Sequence, residues 1–374
     1  MAIEIKETTS KSDIKKSVLF QFELYKDNPY FVPQLIRDEV ETLSKKNPAT
    51  ELSDMKVFLA YRSGKIVGRI VGIINHPANK KWGSKNIRFG WIEMVNDFEV
   101  ASALFRAVEK MGKEAGMETI TGPHGFCDLD MQGMLVEGFD KLATIASYYH
   151  HPYYKELTEK YGFVKDVDYL EYLSTVPKEL PEQMIKVAEW IQRKGNYKLL
   201  QYDKVSDYKK RGKELFALLE ESFSELYGTV PLSDKQIDYY INKYISYIDK
   251  NFLKIVVTEK DEMIGFLITM PNLSKAYQKA KGKLFPFGIF YLLQGMKNRE
   301  VLDFYFMGVK REYRQKGVDV LMASEIVKEA IKHNFKYAES NQELEWNNRV
   351  QSQWKFFNPV MHKRRRIYKK NIDI

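Results

Sequence analysis

Residues 307–321 run Met307-Gly308-Val309-Lys310-Arg311-Glu312-Tyr313-Arg314-Gln315-Lys316-Gly317-Val318-Asp319-Val320-Leu321. An apolar strand ends at Val309, a short polar loop follows, and a helix starts at Val318. A glycine in such a loop exposes backbone N–H groups. The first helical turn leaves its own N–H groups without helical acceptors, and the helix N-terminus is electropositive. Phosphate groups bind to that arrangement. Arg314 and Lys316 add fixed positive charge. Asp319 opposes an anion if it faces one and is ordinary as a helix cap. Read without context, the stretch is a plain strand–turn–helix connection.

Outward from this block, one order of elements runs twice. In the second half, a strand at 197–202 and helices at 209–226 and 234–249 lead to a hairpin at 252–259 and 263–270. A strand at 301–309, a helix at 318–332, a strand at 335–339, a helix at 349–357 and a strand at 364–369 follow. In the first half, strand 2–6 and helix 12–26 precede a hairpin at 57–61 and 65–74. Strand 87–95, helix 99–115, strand 118–121, helix 152–161 and strand 164–173 complete it. The hairpins align as KIVGRIVGI around Gly68 and EMIGFLITM around Gly265. A connector helix spans 181–194. The expected domains are 1–176 and 197–374, with 177–196 between them. Each copy carries one insert, at 122–151 in the first and 271–299 in the second, and long inserts often carry function.

A length of 374 residues suits about two domains. With 44% hydrophobic and 29% charged residues, the chain is globular and not disordered. Its one cysteine, Cys127, excludes an intrachain disulfide and a Cys-rich zinc site. The start has no signal-peptide pattern. The apolar run 284–293 is interrupted by Pro286 and Gly288 and is half of the roughly 20 residues a spanning helix needs. A soluble, cytoplasmic protein is expected, at most peripheral at the inner face of a membrane. More than half of the net charge of +9 lies in residues 362–374, where six Lys and Arg face only Asp373. That tail reads as a solvated edge strand with Ile367 and Tyr368 turned inward. Nucleic-acid binding ranks last, because no stacking platform accompanies the charge.

The element order, with Val309, Tyr313, Arg314 and Gly317, resembles the GNAT acyltransferase fold. It departs from the motif at Asp319, where that family has Gly or Ala. The resemblance extends to a bacterial family of tandem GNAT-like proteins of about this length. It is carried by residues 28–33 (NPYFVP), 58–70, Gly122-Pro123 with 133–140, 152–163 and the ending at 364–369. The stretch Cys127-Asp128-Leu129-Asp130-Met131-Gln132 departs from it, since members often have Asn-Asp-Glu there. The resemblance implies an α/β (α+β) fold of two GNAT-like domains, each a mixed, mostly antiparallel sheet flanked by helices. It implies an N-acyltransferase that moves an acyl group from acyl-CoA or acetyl-CoA to an amine. The wider group includes proposed bacterial ceramide synthases, which puts a long-chain, sphingoid-type amine among the expected small-molecule or lipid substrates. The cosubstrate contacts so implied are Val309, Arg314, Gln315, Lys316, Gly317, Val318, Asp319 and Asn347. A non-catalytic acyl-CoA-binding or scaffold protein is the alternative, favoured by Asp319 and by the absence of the family's tyrosine from 349–357.

The first copy lacks the loop. It runs Glu93-Met94-Val95-Asn96-Asp97-Phe98-Glu99, with no glycine, no base, and three acids that would repel pyrophosphate. Only the second copy is expected to bind it. Amine attack on a thioester needs a base, an oxyanion donor and an acid. Asp303 and Tyr305 share one face of their strand, and Glu339 ends the next. These are the catalytic candidates, each otherwise a hydrogen-bonded strand residue. The first insert brings His124, Asp128, Asp130, Glu137, Tyr148, Tyr149 and His150 into one loop. His150-His151 is either functional or a structural pair, and without zinc-type spacing no metal is expected. In the second insert, Lys275, Lys279, Lys281 and Lys283, with Lys297 and Arg299, frame 284–293. That segment is a candidate for peripheral membrane contact, for the wall of a fatty-chain pocket, or for a buried helix.

Overall fold

Gly68 and Gly265 occupy matching places in two hairpins, and a helix crosses close over each. A Cβ on Gly68 would stand 2.7 Å from Leu104 Cδ1, and one on Gly265 would stand 2.7 Å from Val318 Cγ1. The aligned glycines of the sequence are therefore the points where each copy packs its main helix on its sheet.

The computed structural model describes residues 2–8, 10–194, 196–244, 248–354 and 357–373. The chain divides into two units. The first comprises Met1–Leu170, Leu273–Gln294 and His362–Ile374, and the second Glu171–Asn272 and Gly295–Met361. The units are thus not contiguous in sequence. Parts of the second copy, including most of its last strand, lie in the first unit.

In the first unit, the antiparallel hairpin Ser53–Arg62 and Lys65–Asn75 is followed by strand Asn86–Met94 and helix Phe98–Glu114. Strand Thr119–Gly122 then runs parallel to Asn86–Met94. In the second unit, Leu253–Thr258 and Met263–Pro271 form the hairpin. Val301–Val309, helix Val318–Lys332 and the parallel strand Tyr337–Ser340 follow. In each unit the strand pairing is mixed and mostly antiparallel, with helices flanking it. The first core gathers Phe89, Leu104, Phe105, Val108 and Ile120, and the second Phe252, Ile264, Leu302, Leu321 and Met322. The connector helix, Glu182–Lys194, sends Ala188 and Ile191 into the second core. The helix expected at 234–249 is described as Asp234–Tyr244, and residues 245–247 of that expectation lie outside the described residues.

The basic ending is not an edge strand. Val360–Asn371 pairs with Thr119–Gly122 through Tyr368↔Gly122, and with Met134–Glu137 through Arg366↔Met134. Ile367 and Tyr368 do face inward, but so do Lys363 and Arg365, all fully buried. Lys363 Nζ donates to Leu142 O, and Arg365 to Ser147 Oγ and Tyr148 O. Arg366 binds Asp168 at 2.8 Å and 3.0 Å, Arg364 binds Glu137 and Asp168, and Lys370 binds Glu109. Arg364, Arg366 and Lys370 thus meet carboxylates inside the first unit, and those carboxylates belong to distant sequence.

Candidate acyl-thioester site

Gly317 is the cap residue of helix Val318–Lys332, with φ of 80°, and Gln315 before it has φ of 62°. A Cβ on Gly317 would lie 2.2 Å from Ile191 Cδ1, so conformation and space both require glycine. Arg314 is part of the loop's frame: its Nε donates to Val309 O at 3.2 Å and its Nη2 to Ser222 O at 3.3 Å. Lys316 is exposed over the Tyr313 ring. Val309 and 314–319 thus form one continuous cradle around a helix N-terminus. Asp319 is not the cap. It sits in the first turn, where its carboxylate accepts from Gln353 Nε2 at 2.9 Å. Gln353 belongs to helix Asn348–Trp354, and Asn347 precedes that helix, accepting from Val350 N–H through Oδ1. Asn347 therefore begins this second helix. Lys355 and Phe356 of the helix expected at 349–357 lie outside the described residues.

The strand feeding this loop is open on one side. Its parallel pairing with Tyr337–Ser340 covers only Val301↔Tyr337 to Phe304↔Ser340. A register shift against the hairpin strand leaves Tyr305 as an extra residue, a bulge. From Tyr305 to Val309 no strand pairs with that edge among the described residues. These five residues of strand span about 13 Å from first to last, comparable with an extended pantetheine arm. The three catalytic candidates meet at the closed end of this opening. Asp303 is buried, with Asn272 Nδ2 at 3.0 Å and 3.1 Å from its two oxygens. Tyr305 Oη donates to Asp303 Oδ2 at 3.3 Å, and Glu339 is the cross-strand neighbour of Asp303.

Sequence reasoning missed Asn272 and Glu343. Glu343 accepts from Trp354 Nε1 at 2.6 Å, and burial pushes its carboxyl up to about 7 against the pull of its hydrogen bonds to Trp354 and Ser340. Nothing in the polar run Gln342-Glu343-Leu344-Glu345 signals that one of its two glutamates is enclosed.

The first unit has the corresponding strand with its own bulge, at Trp91-Ile92, where Trp91 has φ of 46°, but both anion features are closed. Asp97 caps helix Phe98–Glu114, accepting from Glu99 N–H at 2.8 Å and Val100 N–H at 3.4 Å, so its carboxylate holds the donors a phosphate would need. Glu93 does not line the loop, as the sequence suggested. It is buried in the sheet, accepting from Tyr25 and Tyr154 hydroxyls at 2.7 Å each. Burial pushes Glu93 up to about 7, opposed by nearby Arg69 and by the tyrosine bonds. Arg69 is also fully buried and pairs with Glu39 at 3.0 Å. By hairpin register, Gly308 stands in the second unit where Glu93 stands in the first.

The first insert is packed structure. Asp130 Oδ2 accepts from Phe126 and Cys127 N–H. His150 Nδ1 accepts from Leu135 N–H at 3.2 Å, and burial holds its pKa well down, so the ring is neutral. His151 stacks on Tyr25 and Tyr153. The histidines are a structural pair.

These elements define the GNAT fold, built twice in one chain. A tandem GNAT protein from the clavulanic acid biosynthesis pathway aligns over 100% of this chain and 99% of its own, with a TM-score of 0.59 and 11% identity. A GCN5-related N-acetyltransferase from Sphaerobacter thermophilus aligns over 100% and 96%, with a TM-score of 0.51 and 10% identity. No family model matches the chain. Among curated proteins, Protein YghO of Escherichia coli (strain K12) is 26% identical over 371 residues, 97% of this chain and 94% of that one. The bacterial ceramide synthase of Caulobacter vibrioides is 26% identical over 311 residues, 81% of this chain and 79% of that one. Among the described residues, no helix is long and apolar enough to cross a membrane.

Proposed function

We propose that the protein is an acyl-CoA-dependent N-acyltransferase whose thioester binds the second unit and whose acceptor is a long-chain, sphingoid-type amine. One observation carries the thioester assignment: among the described residues, one edge of strand Val301–Val309 is unpaired beyond Phe304, and the strand leads into a helix opened by a left-handed glycine. Pantetheine amides would bond the open strand edge, and the pyrophosphate would take the N–H groups at Gly317 and Val318 with Lys316 beside it. The long-chain acceptor is supported by the relative named a ceramide synthase.

In the reaction, the amine nitrogen forms a bond to the thioester carbonyl carbon and the C–S bond breaks. The ammonium first loses a proton, which Asp303 or Glu339 accepts; the leaving thiolate gains one from the Tyr305 hydroxyl, and the second proton that the nitrogen sheds after attack restores that hydroxyl. Backbone N–H groups at the Tyr305 bulge are the donors for the oxyanion. A supply of acyl-CoA implies a cytoplasmic reaction.

Thermal-shift series with acetyl-, octanoyl- and palmitoyl-CoA test the binding step, because a ligand of the native state raises stability by mass action. The largest rise is expected with palmitoyl-CoA. No rise with any of the three would remove the proposal. The scaffold reading, favoured by a helix Asn348–Trp354 without tyrosine, requires a shift without amine-dependent thiol release.

A further inference from the structure

In the first unit, residues 273–294 form a two-sided segment. One side is fixed. Leu273, Ala276, Tyr277 and Ala280 are buried around helix Ser274–Ala280, and Leu292 is buried in helix Gly288–Gly295. Gln278 Nε2 donates to Pro29 O at 2.8 Å and Phe31 O at 2.9 Å, and Ile36 N–H donates to Gly282 O at 2.9 Å. Gly282 leaves no room for a side chain, since a Cβ would stand 2.4 Å from the Phe22 ring.

The other side faces outward. Phe285, Phe287, Phe290 and Leu293 are 69%, 67%, 64% and 58% exposed. Four large apolar side chains so exposed within nine residues mark a contact surface. Phe287, Phe290 and Leu293 follow helical spacing, so they form one stripe. Lys279, Lys281 and Lys283 are exposed just before the stripe, with no ion pair among the described residues. The segment is neither a buried helix nor a covered pocket wall. It is a fixed apolar tip with cations alongside.

We infer that residues 279–293 dock the protein on an anionic phospholipid surface, the phenylalanines entering the headgroup boundary and the three lysines meeting lipid phosphates. Charge selects this occupant. A second copy seated on the stripe through a two-fold axis would bring two sets of unpaired lysines together, whereas an anionic leaflet complements them. The inference does not depend on the acyl-transfer reading.

The test is co-sedimentation of the full chain with phosphatidylcholine vesicles, with and without phosphatidylglycerol. Binding is expected only where phosphatidylglycerol is present, and it should fall as salt rises. The Phe287→Glu/Phe290→Glu variant and the Lys279→Glu/Lys281→Glu/Lys283→Glu variant should each lower the bound fraction about tenfold, with an unchanged melting temperature. Three results would overturn the inference: no vesicle binding, binding untouched by both variants, or a dimer that Phe287→Glu dissociates while vesicles bind neither form.

Discussion

The Met94 backbone N–H donates to Tyr154 Oη at 2.9 Å, and this contact closes in the first unit a strand edge whose counterpart in the second pairs with no strand from Tyr305 to Val309 among the described residues. Tyr153 Oη donates to Met94 O at 2.7 Å and completes the closure. Two hydroxyls thus take the backbone groups that a pantetheine arm would pair with. Together with the Asp97 cap, they support the proposal that only the second unit takes a thioester.

Removing the closure should therefore not create a second site. Tyr154→Phe is expected to cost about 1–3 kcal/mol, because Met94 N–H and Glu93 each lose a buried partner. Palmitoyl-CoA stoichiometry by titration calorimetry should stay at one per chain. Two sites in the wild type would contradict this.

Glu93 ties stability to pH. Its folded pKa, about 7, lies above the ordinary 4.5, so the folded state holds the proton more tightly than the unfolded chain. The stability from this group is full below the unfolded value and is lost as pH rises through about 7. A shift of that size corresponds to about 3 kcal/mol. Urea unfolding from acid to neutral pH should show Glu93→Gln flattening this fall, and an unchanged slope would refute the assignment.

Arg69 should be the costliest single loss in the first unit. Arg69→Met leaves Glu39 and Glu93 buried without a cation, at a cost of about 3–5 kcal/mol. Adding Glu39→Gln should recover part of it. The check is chemical denaturation of the single and double variants.

What the sequence disclosed follows from where its information is local. The loop 314–317 was legible because a turn, a glycine and a helix start are adjacent in sequence. The repeat was legible because Gly68 and Gly265 answer the same packing demand. The C-terminal strand was misread as a solvated edge because its carboxylates, Asp168 and Glu137, lie roughly two hundred residues earlier in the chain. Glu93 was misread for the same reason: only the fold brings Tyr25, Tyr154 and Arg69 around it. The exposed phenylalanines at 285–290 were ambiguous in sequence, since an apolar run does not say which side is covered.

Lys316 separates binding from folding. It is exposed, and its ammonium lies over the Tyr313 ring. Lys316→Glu should weaken acyl-CoA binding about tenfold, or about 1.4 kcal/mol, with the melting temperature of the free protein unchanged. Gly317→Ala, by contrast, should lower both, because its Cβ meets Ile191. Equal affinity in Lys316→Glu and wild type would move the anion site elsewhere.

The most direct measurement follows free thiol released from palmitoyl-CoA as a long-chain amine is added. Release that depends on the amine is expected, with Lys316→Glu raising KM for the thioester and Asp303→Asn lowering kcat. Thiol release that is indifferent to the amine, or tight acyl-CoA binding without release for any acyl length, would contradict the acyl-transfer proposal.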